Sequence, residues 1–153
     1  MVPLLLTAAS EGLLIFVSIT APSTAEAVQR FIELAPPETR KAVQNAMAES
    51  FRGAVGQVLL KKAGGGLIAA REVLLATAPV TRVIGEGQLG QLPLALESGT
   101  RHGMVSFTDA LAGNVRSGVV DVREAFRKAP DRTRLLEHLK HDGVDTTVVE
   151  RLA

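Results

Sequence analysis

Residues 48–77, AESFRGAVGQVLLKKAGGGLIAAREVLLAT, decide the fold of this 153-residue chain. A helix is predicted to end at Gly53, because glycine adopts the left-handed conformation that commonly follows a helix. Two runs rich in Val, Leu and Ile follow, at residues 55–62 and 67–75, and the glycines at 64–66 separate them. Two such runs joined by glycine predict an antiparallel β-hairpin.

The second run of this hairpin contains two adjacent charged residues, Arg71 and Glu72. Neighbouring side chains of a strand point to opposite faces of the sheet. We therefore expect at least one of the two to approach the core or a neighbouring strand, where a charged group needs a partner.

Composition restricts the possible classes of protein. Hydrophobic residues make up 46% of the chain and charged residues 22%, which is sufficient for a folded domain with a core. The formal net charge is only +1 and aromatic residues are 3%, without Trp or Tyr, so nucleic-acid binding is not expected. With no cysteine, the chain has no disulfide and no thiolate site, which is compatible with a reducing compartment.

An apolar stretch at residues 2–21 allows two interpretations. We favour a helix at residues 4–10, a turn at Glu11 and Gly12, and a buried strand at residues 13–19 of a parallel sheet. The alternative is a membrane anchor. Glu11 argues against it, because a carboxylate near the centre of a bilayer costs roughly 2.5 kcal/mol or more. No basic segment precedes the stretch, as it would in a secretory signal.

Helices are predicted on both sides of the hairpin. Ser23 and Glu26 form a capping box at the start of the first helix, which ends at Pro36 and Pro37. The second helix has a buried stripe of Val43, Ala46, Met47, Ser50 and Phe51, with a solvated face of Arg40, Lys41, Gln44 and Glu49. After the hairpin, short helices are predicted at 79–85, 89–97, 107–116 and 122–128, then around Leu135, Leu136 and Leu139, and finally around Val148, Val149 and Leu152.

The residues alone do not form a complete active site. Neither a G-x-x-x-x-G-K-[ST] loop nor a G-x-G-x-x-G loop is present, and the three hairpin glycines are interpreted as a turn. His138 and His141 have the spacing of two metal ligands but lack a third, so we interpret them as a solvated helix end. His102 lies in a glycine-bounded loop without a positioned partner for general-base chemistry.

Several runs of the chain, taken in order, match motifs of one known family. ESFRGAVGQ at residues 49–57 is similar to the pattern E-S-L-R-G-V-x-x-Q. Lys61, Lys62 and the glycines, followed by AAREVL at residues 69–74, are similar to a K-x-G-G-G hairpin and an A-A-x-E-I-L strand. LTAASEGLLIF at residues 6–16 is similar to a helix and strand that follow Walker B, and STAEAVQRFIELAPP at residues 23–37 to the helix after a histidine box.

The chain thereby resembles the C-terminal half of the type IV pilus retraction (twitching-motility, PilT-type) ATPases, in the superfamily that also serves type II secretion. The resemblance implies an α/β fold: the C-terminal part of a RecA-like (P-loop NTPase-type) domain with an antiparallel hairpin at residues 1–77, followed by a small helical bundle at residues 78–153. The parallel sheet of that domain is expected to be incomplete, with an open edge that favours association.

The chain also departs from the family pattern. The family's Walker A loop, acidic box and Walker B precede the region that this chain resembles, so we expect these 153 residues to lack them. Thr20 occupies the position of the histidine in the family's histidine box, and threonine cannot carry a charge or supply an imidazole. The retraction signature A-I-R-N-L-I-R-E aligns with a degenerate helix of Pro79, Val80, Thr81, Arg82, Val83, Ile84, Gly85 and Glu86. Its apolar positions remain, whereas both arginines of the signature are replaced.

These departures lead to one favoured function and two alternatives. The favoured function is a diverged, truncated, non-catalytic component, structural or regulatory, of pilus (twitching-motility) machinery. The first alternative is a subunit of a working secretion ATPase whose nucleotide-binding half is elsewhere, and the second is an unrelated α/β interaction module. No catalytic, cofactor-binding or metal-binding residues are expected in this chain.

The resemblance also implies ligands, partners and a location. The family uses ATP and Mg, but no cofactor is expected for this chain alone. The expected partners are proteins, either a complete hexameric pilus ATPase or further copies of this chain, without nucleic acid and without direct membrane insertion. The expected location is the cytoplasm, peripheral to the inner membrane at a pilus base.

Overall fold

The computed structural model describes residues 1–150, which form helices around one β-hairpin. The hairpin strands are β1 (Gly53–Lys61) and β2 (Leu67–Leu75). The helices before it are α1 (Val2–Ser10), α2 (Thr24–Glu33) and α3 (Arg40–Ser50). The helices after it are α4 (Ala78–Glu86), α5 (Leu92–Ser98), α6 (Phe107–Arg116), α7 (Val122–Lys128), α8 (Arg132–His141) and α9 (Thr147–Glu150), with short 3-10 turns at Leu89–Gln91 and Thr100–His102.

The predicted hairpin is confirmed, although one of its glycines acts differently from the prediction. The backbone N–H of Lys62 donates to the carbonyl of Gly66 at 3.0 Å, and Gly65 and Gly66 adopt φ values of 89° and 80°. Gly53 is not among the glycines with positive φ, so its predicted left-handed conformation is wrong. A Cβ at Gly53 would lie 2.9 Å from the carbonyl oxygen of Leu74. Glycine is therefore required there by the close approach of β2.

Most of the predicted helices are confirmed, including their starts. The side chains of Ser23, Ser106 and Asp121 accept hydrogen bonds from backbone N–H groups at the starts of α2, α6 and α7, which lie 2.8–3.2 Å away. The predicted helix at residues 89–97 is divided into a 3-10 turn and α5, with Pro93 in the first turn of α5. The predicted contribution of Leu152 to the last helix lies outside the described residues.

The predicted buried strand at residues 13–19 is wrong. This segment follows the turn at Glu11 and Gly12 but has no strand conformation, and the only sheet in residues 1–150 is the two-stranded hairpin. Leu13, Leu14 and Phe16 are exposed, Phe16 to 88%. A strand requires a neighbour that pairs with its backbone groups, and within the described chain this segment has none. The expected parallel sheet is therefore also absent from that part of the molecule.

The predicted helix at residues 4–10, in the first half of the apolar N-terminal stretch, is confirmed as α1. It begins two residues earlier than predicted and buries Val2 and Leu6. Over residues 1–150, no helix combines the length and the apolar character needed to cross a bilayer.

The chain divides into two compact units, each with its own hydrophobic core. The first unit is Met1–Gly56 with Val73–Met104, and the second is Gln57–Glu72 with the residues from Val105 onward. The core of the first contains Val28, Phe31, Leu74, Val80, Ile84 and Leu92, and the core of the second contains Leu60, Ala70, Leu111, Ala125, Leu135 and Leu139. α4 packs against α3, and α5 packs against α4, so both belong to the first unit. The ranges 1–77 and 78–153 stay predictions.

One charged residue of β2 is buried, as the alternation of strand side chains predicted. Glu72 is 8% exposed, and its Oε2 atom accepts a hydrogen bond from the backbone N–H of Phe107 at 3.3 Å, at the first residue of α6. Arg71 points to solvent and donates to Oε1 of Gln57 on β1 at 3.1 Å. The carboxylate therefore connects β2 to the start of α6 within the second unit.

We predict that Glu72→Ala lowers the free energy of unfolding by about 1–3 kcal/mol, because it removes an acceptor from a buried backbone N–H. Urea denaturation followed by circular dichroism measures this change. Arg71→Ala is the matched control, for which we expect a change within about 0.5 kcal/mol, since its side chain is exposed. Equal losses for the two variants would show that Glu72 has no special role.

Candidate functional site

Residues 79–86, the segment that aligns with the retraction signature, form most of α4. The helix begins one residue earlier, at Ala78. Val80, Val83 and Ile84 are buried in the first core, and their exposed fractions are at most 4%. Arg82 and Glu86 are exposed, and they are the charged side chains that α4 presents to solvent. The hydroxyl of Thr81 donates back to the carbonyls of Thr77 and Ala78 at 3.3 and 3.2 Å, so it is used within the helix.

Two side chains of α3 bind the C-terminal end of α4. Nε2 of Gln44 donates to the carbonyl of Ile84 at 2.7 Å and to that of Gly85 at 3.1 Å. Nζ of Lys41 also donates to the carbonyl of Gly85, at 2.8 Å. The last carbonyls of a helix have no partner within the helix, and a cation near them also interacts favourably with the helix dipole. We call Gln44 and Lys41 the α3 clamp.

The α3 clamp corrects the prediction that Gln44 belongs to a solvated face. Gln44 is only 9% exposed. A polar side chain predicts exposure on a helix. Gln44, however, directly follows the buried Val43 and therefore lies at the border of the apolar stripe. A polar residue at such a border can be satisfied by a neighbouring helix end, which the sequence of α3 does not reveal.

Glycines allow this close contact between α3 and α4. Gly87 ends α4 in the left-handed conformation, with φ of 79°. A Cβ there would lie 2.8 Å from Nε2 of Gln44. Gly85 stands where the family signature has its second arginine, and a Cβ at Gly85 would lie 3.4 Å from Cβ of Ala48. A long side chain at position 85 would therefore begin against α3.

Thr20 lies in the irregular segment before α2 and is exposed. Its backbone carbonyl accepts a hydrogen bond from the guanidinium of Arg30 on α2. Among the residues that the structure describes, no hydrogen bond to the hydroxyl of Thr20 is found. The residue thus contributes its backbone to the position of the segment, and its side chain faces solvent.

Two of the three histidines, His138 and His141, lie on α8 next to aspartates of the second unit. His141 is 92% exposed, and Nε2 of His138 lies 3.9 Å from Asp109 Oδ1 and 3.5 Å from Asp142 Oδ2. Asp142 also pairs with Arg116 at 3.2 Å. Within the described chain, no group of three or more His, Asp or Glu side chains has the geometry to hold a metal ion. His102 is exposed in a 3-10 turn.

Comparisons with known proteins agree with the motif resemblance. The chain is 32% identical over 126 residues to the type IV pilus retraction ATPase PilT of Pseudomonas aeruginosa and 31% identical over 127 residues to a twitching motility protein of Neisseria gonorrhoeae. Each alignment covers 82% of this chain but only 37% and 34%, respectively, of the relative. The chain thus spans about a third of the length of these relatives.

The fold agrees as well. A crystal structure of the pilus retraction motor PilT with bound ADP superposes with a TM-score of 0.79 over 89% of this chain, at 23% identity. The ATPase DotB of Legionella pneumophila superposes with a TM-score of 0.69 over 81% of the chain, at 20% identity. The chain has the sequence and fold of the C-terminal region of a PilT-type secretion ATPase. A scan against protein-family models gave no match.

This assignment excludes the alternative of an unrelated interaction module. It also makes α4 the main candidate for a functional element, because α4 is the helix of this PilT-type region that aligns with the retraction signature. The degeneracy of that helix and the replacement of the box histidine by Thr20 stay predictions.

We predict that Gln44→Ala lowers the free energy of unfolding by about 1 kcal/mol, because the carbonyls of Ile84 and Gly85 each lose one donor and keep only the Gly87 N–H and the Lys41 ammonium, respectively. Asn45→Ala, on the exposed side of the same helix, should change it by less than about 0.5 kcal/mol. Chemical denaturation of the two variants in parallel makes the comparison. A Gln44→Ala protein as stable as the Asn45→Ala protein would contradict a stabilising role for the α3 clamp.

Proposed function

We propose that this PilT-type region is a non-catalytic component of type IV pilus machinery, which joins a secretion-ATPase assembly as a structural or regulatory partner. The assembly would lie in the cytoplasm at a pilus base. The relatives named for pilus retraction and twitching motility support the pilus context.

The observation that carries the proposal is the exposed apolar segment at residues 13–17, LLIFV. Leu13, Leu14, Phe16 and Val17 are 61%, 67%, 88% and 47% exposed, and their backbone groups are not part of a sheet. Large contiguous apolar surfaces of this kind are typical of protein–protein contacts. An extended apolar segment can also add to the edge of a sheet in a partner.

The surroundings of this segment leave room for a partner. Residues 13–15 and 17–19 line one side of a cavity of about 480 Å³ in the first unit, next to the exposed Phe16, and its other walls come from α1, α2, the end of α3 and the start of β1. Val28, Phe31 and Met47 contribute apolar side chains to those walls. A hydrophobic partner segment would therefore find apolar contacts on both sides. We propose that this partner is the nucleotide-binding region of a PilT-type ATPase.

The proposal assigns no nucleotide chemistry to this chain alone. Binding of a triphosphate in this superfamily depends on the backbone amides and lysine of a Walker A loop. Residues 1–153 contain no such loop, and the glycine turn at 64–66 is followed by a strand rather than by a helix N-terminus.

We predict that calorimetric titration of the purified chain with ATP and Mg²⁺ gives no saturable heat. The PilT-type ATPase of Pseudomonas aeruginosa, titrated in the same buffer, serves as the positive control. A saturable isotherm for the 153-residue chain would overturn its assignment as non-catalytic, whatever its partner.

We predict that the chain co-purifies with a full-length PilT-type ATPase and that Phe16→Asp lowers the captured amount at least tenfold, because a carboxylate replaces an exposed anchor of the contact. Leu94→Asp is the matched control, since Leu94 is 68% exposed on α5, away from the segment, and its capture should equal that of the unmodified chain.

Two results of this experiment would count against the proposal: no capture at all, or equal capture of the Phe16→Asp and Leu94→Asp proteins. ATP turnover that appears only when this chain is mixed with a nucleotide-binding half would instead support the alternative of a divided working ATPase.

A further inference from the structure

Five cationic side chains of the second unit line one concave surface. The end of the hairpin and helix α7 enclose a groove of about 590 Å³, which we call the basic groove. Its cationic residues are Lys61, Lys62, Arg123, Arg127 and Arg132. Its carboxylates are Asp121 and Glu124. The cations thus exceed the carboxylates by three, on a chain whose formal net charge is +1.

Both carboxylates are already used by the protein itself. Oε1 of Glu124 accepts from the backbone N–H of Lys61 at 3.1 Å, and Oε2 pairs with Arg127. The backbone hydrogen bond from Lys61, together with Arg127, holds the pKa of Glu124 below its ordinary value. Oδ1 of Asp121 accepts from the backbone N–H of Arg123 at 2.8 Å. The two carboxylates offset two of the five cations, so the groove keeps an excess of three positive charges.

Four of the five cations are left without an ion pair among the described residues: Lys61, Lys62, Arg123 and Arg132. All four are exposed. Arg132 is held in place by Phe126, because its guanidinium carbon lies 5.4 Å from the centre of that ring, which is itself 4% exposed. Such a stacked guanidinium keeps its hydrogen-bond donors free for a carboxylate or phosphate.

The backbone around the groove is fixed by hydrogen bonds. Lys62 forms an antiparallel bridge with Val120, and the N–H of Ala63 donates to the carbonyl of Val119 at 2.9 Å. The hairpin end is thereby attached to the residues immediately before α7. Lys61 and Lys62 consequently project from an anchored backbone next to α7, which carries Arg123, so fewer backbone degrees of freedom are lost when a ligand binds.

We propose that the basic groove binds a short acidic segment of a protein partner. The groove is open and its cations are exposed side chains spread along it, which suits several carboxylates in sequence. Guanidinium groups bind carboxylates in a bidentate geometry, and Arg123 and Arg132 supply two of them, with the ammonium groups of Lys61 and Lys62 beside them. A nucleic acid is a poorer fit, because the aromatic side chain that lines the groove, Phe126, is only 4% exposed and cannot stack on bases. The inference concerns a different surface from residues 13–17 and does not rest on the proposed function.

The test uses the whole chain and a fluorescein-labelled peptide of ten residues in which Glu and Gly alternate. We expect saturable binding by fluorescence anisotropy that weakens as the salt concentration rises, since the contacts are exposed ion pairs. Arg123→Gln combined with Arg132→Gln should weaken binding about tenfold, because two cation–carboxylate contacts are lost.

The control variant combines Arg82→Gln with Arg101→Gln, which removes the same charge from exposed positions of the first unit and should leave affinity unchanged. Circular dichroism checks that both double variants are folded. The proposal is overturned if the peptide does not bind, if the two double variants weaken binding equally, or if inorganic polyphosphate or vesicles of phosphatidylglycerol bind more tightly than the peptide through Arg123 and Arg132.

Discussion

The alternating burial of the hairpin side chains is the constraint on which both hydrophobic cores depend. Along β1, every second residue from Ala54 to Leu60 faces inward, and the residues between them face solvent. Along β2, Ala70, Glu72 and Leu74 are buried. A shift of one residue in the pairing would exchange the two faces of a strand and expose both cores. The close contact of Gly53 with the carbonyl of Leu74 and the glycine turn fix that pairing at the two ends of the hairpin.

Polar contacts then complete each unit at points where apolar packing leaves backbone groups without partners. In the first unit, the α3 clamp satisfies the last carbonyls of α4. In the second unit, Glu72 and Glu124 accept hydrogen bonds from the backbone N–H groups of Phe107 and Lys61. These side chains connect elements that are distant in the sequence, so each one stabilises a tertiary contact rather than a single helix or strand.

The two surfaces proposed for binding differ in their physical character. Residues 13–17 offer apolar side chains on a backbone that belongs to no sheet, which favours a hydrophobic partner segment and is little affected by salt. The basic groove offers cations whose own carboxylates are already occupied, which favours an acidic partner segment and is weakened by salt. The two proposed contacts lie on different surfaces, so the effects of variants in one can be measured while the other is intact.

The sequence by itself determined the local elements. The hairpin, its glycine turn, the capping box at Ser23 and the helices at residues 107–116 and 122–128 were all predicted, because each depends on residues close together in the chain. The burial of one of the pair Arg71 and Glu72 was also predicted, since strand geometry alone requires it.

Tertiary structure decided the rest, because it depends on neighbours that a local pattern does not contain. The apolar run at residues 13–19 has the composition of a buried strand, yet it forms none without a pairing partner. Gln44 has the composition of a solvated residue, yet the end of α4 buries it. The basic groove gathers residues from the hairpin, α7 and the start of α8, which no spacing along the sequence places together. In each case the environment of the side chain, rather than its type, set its role.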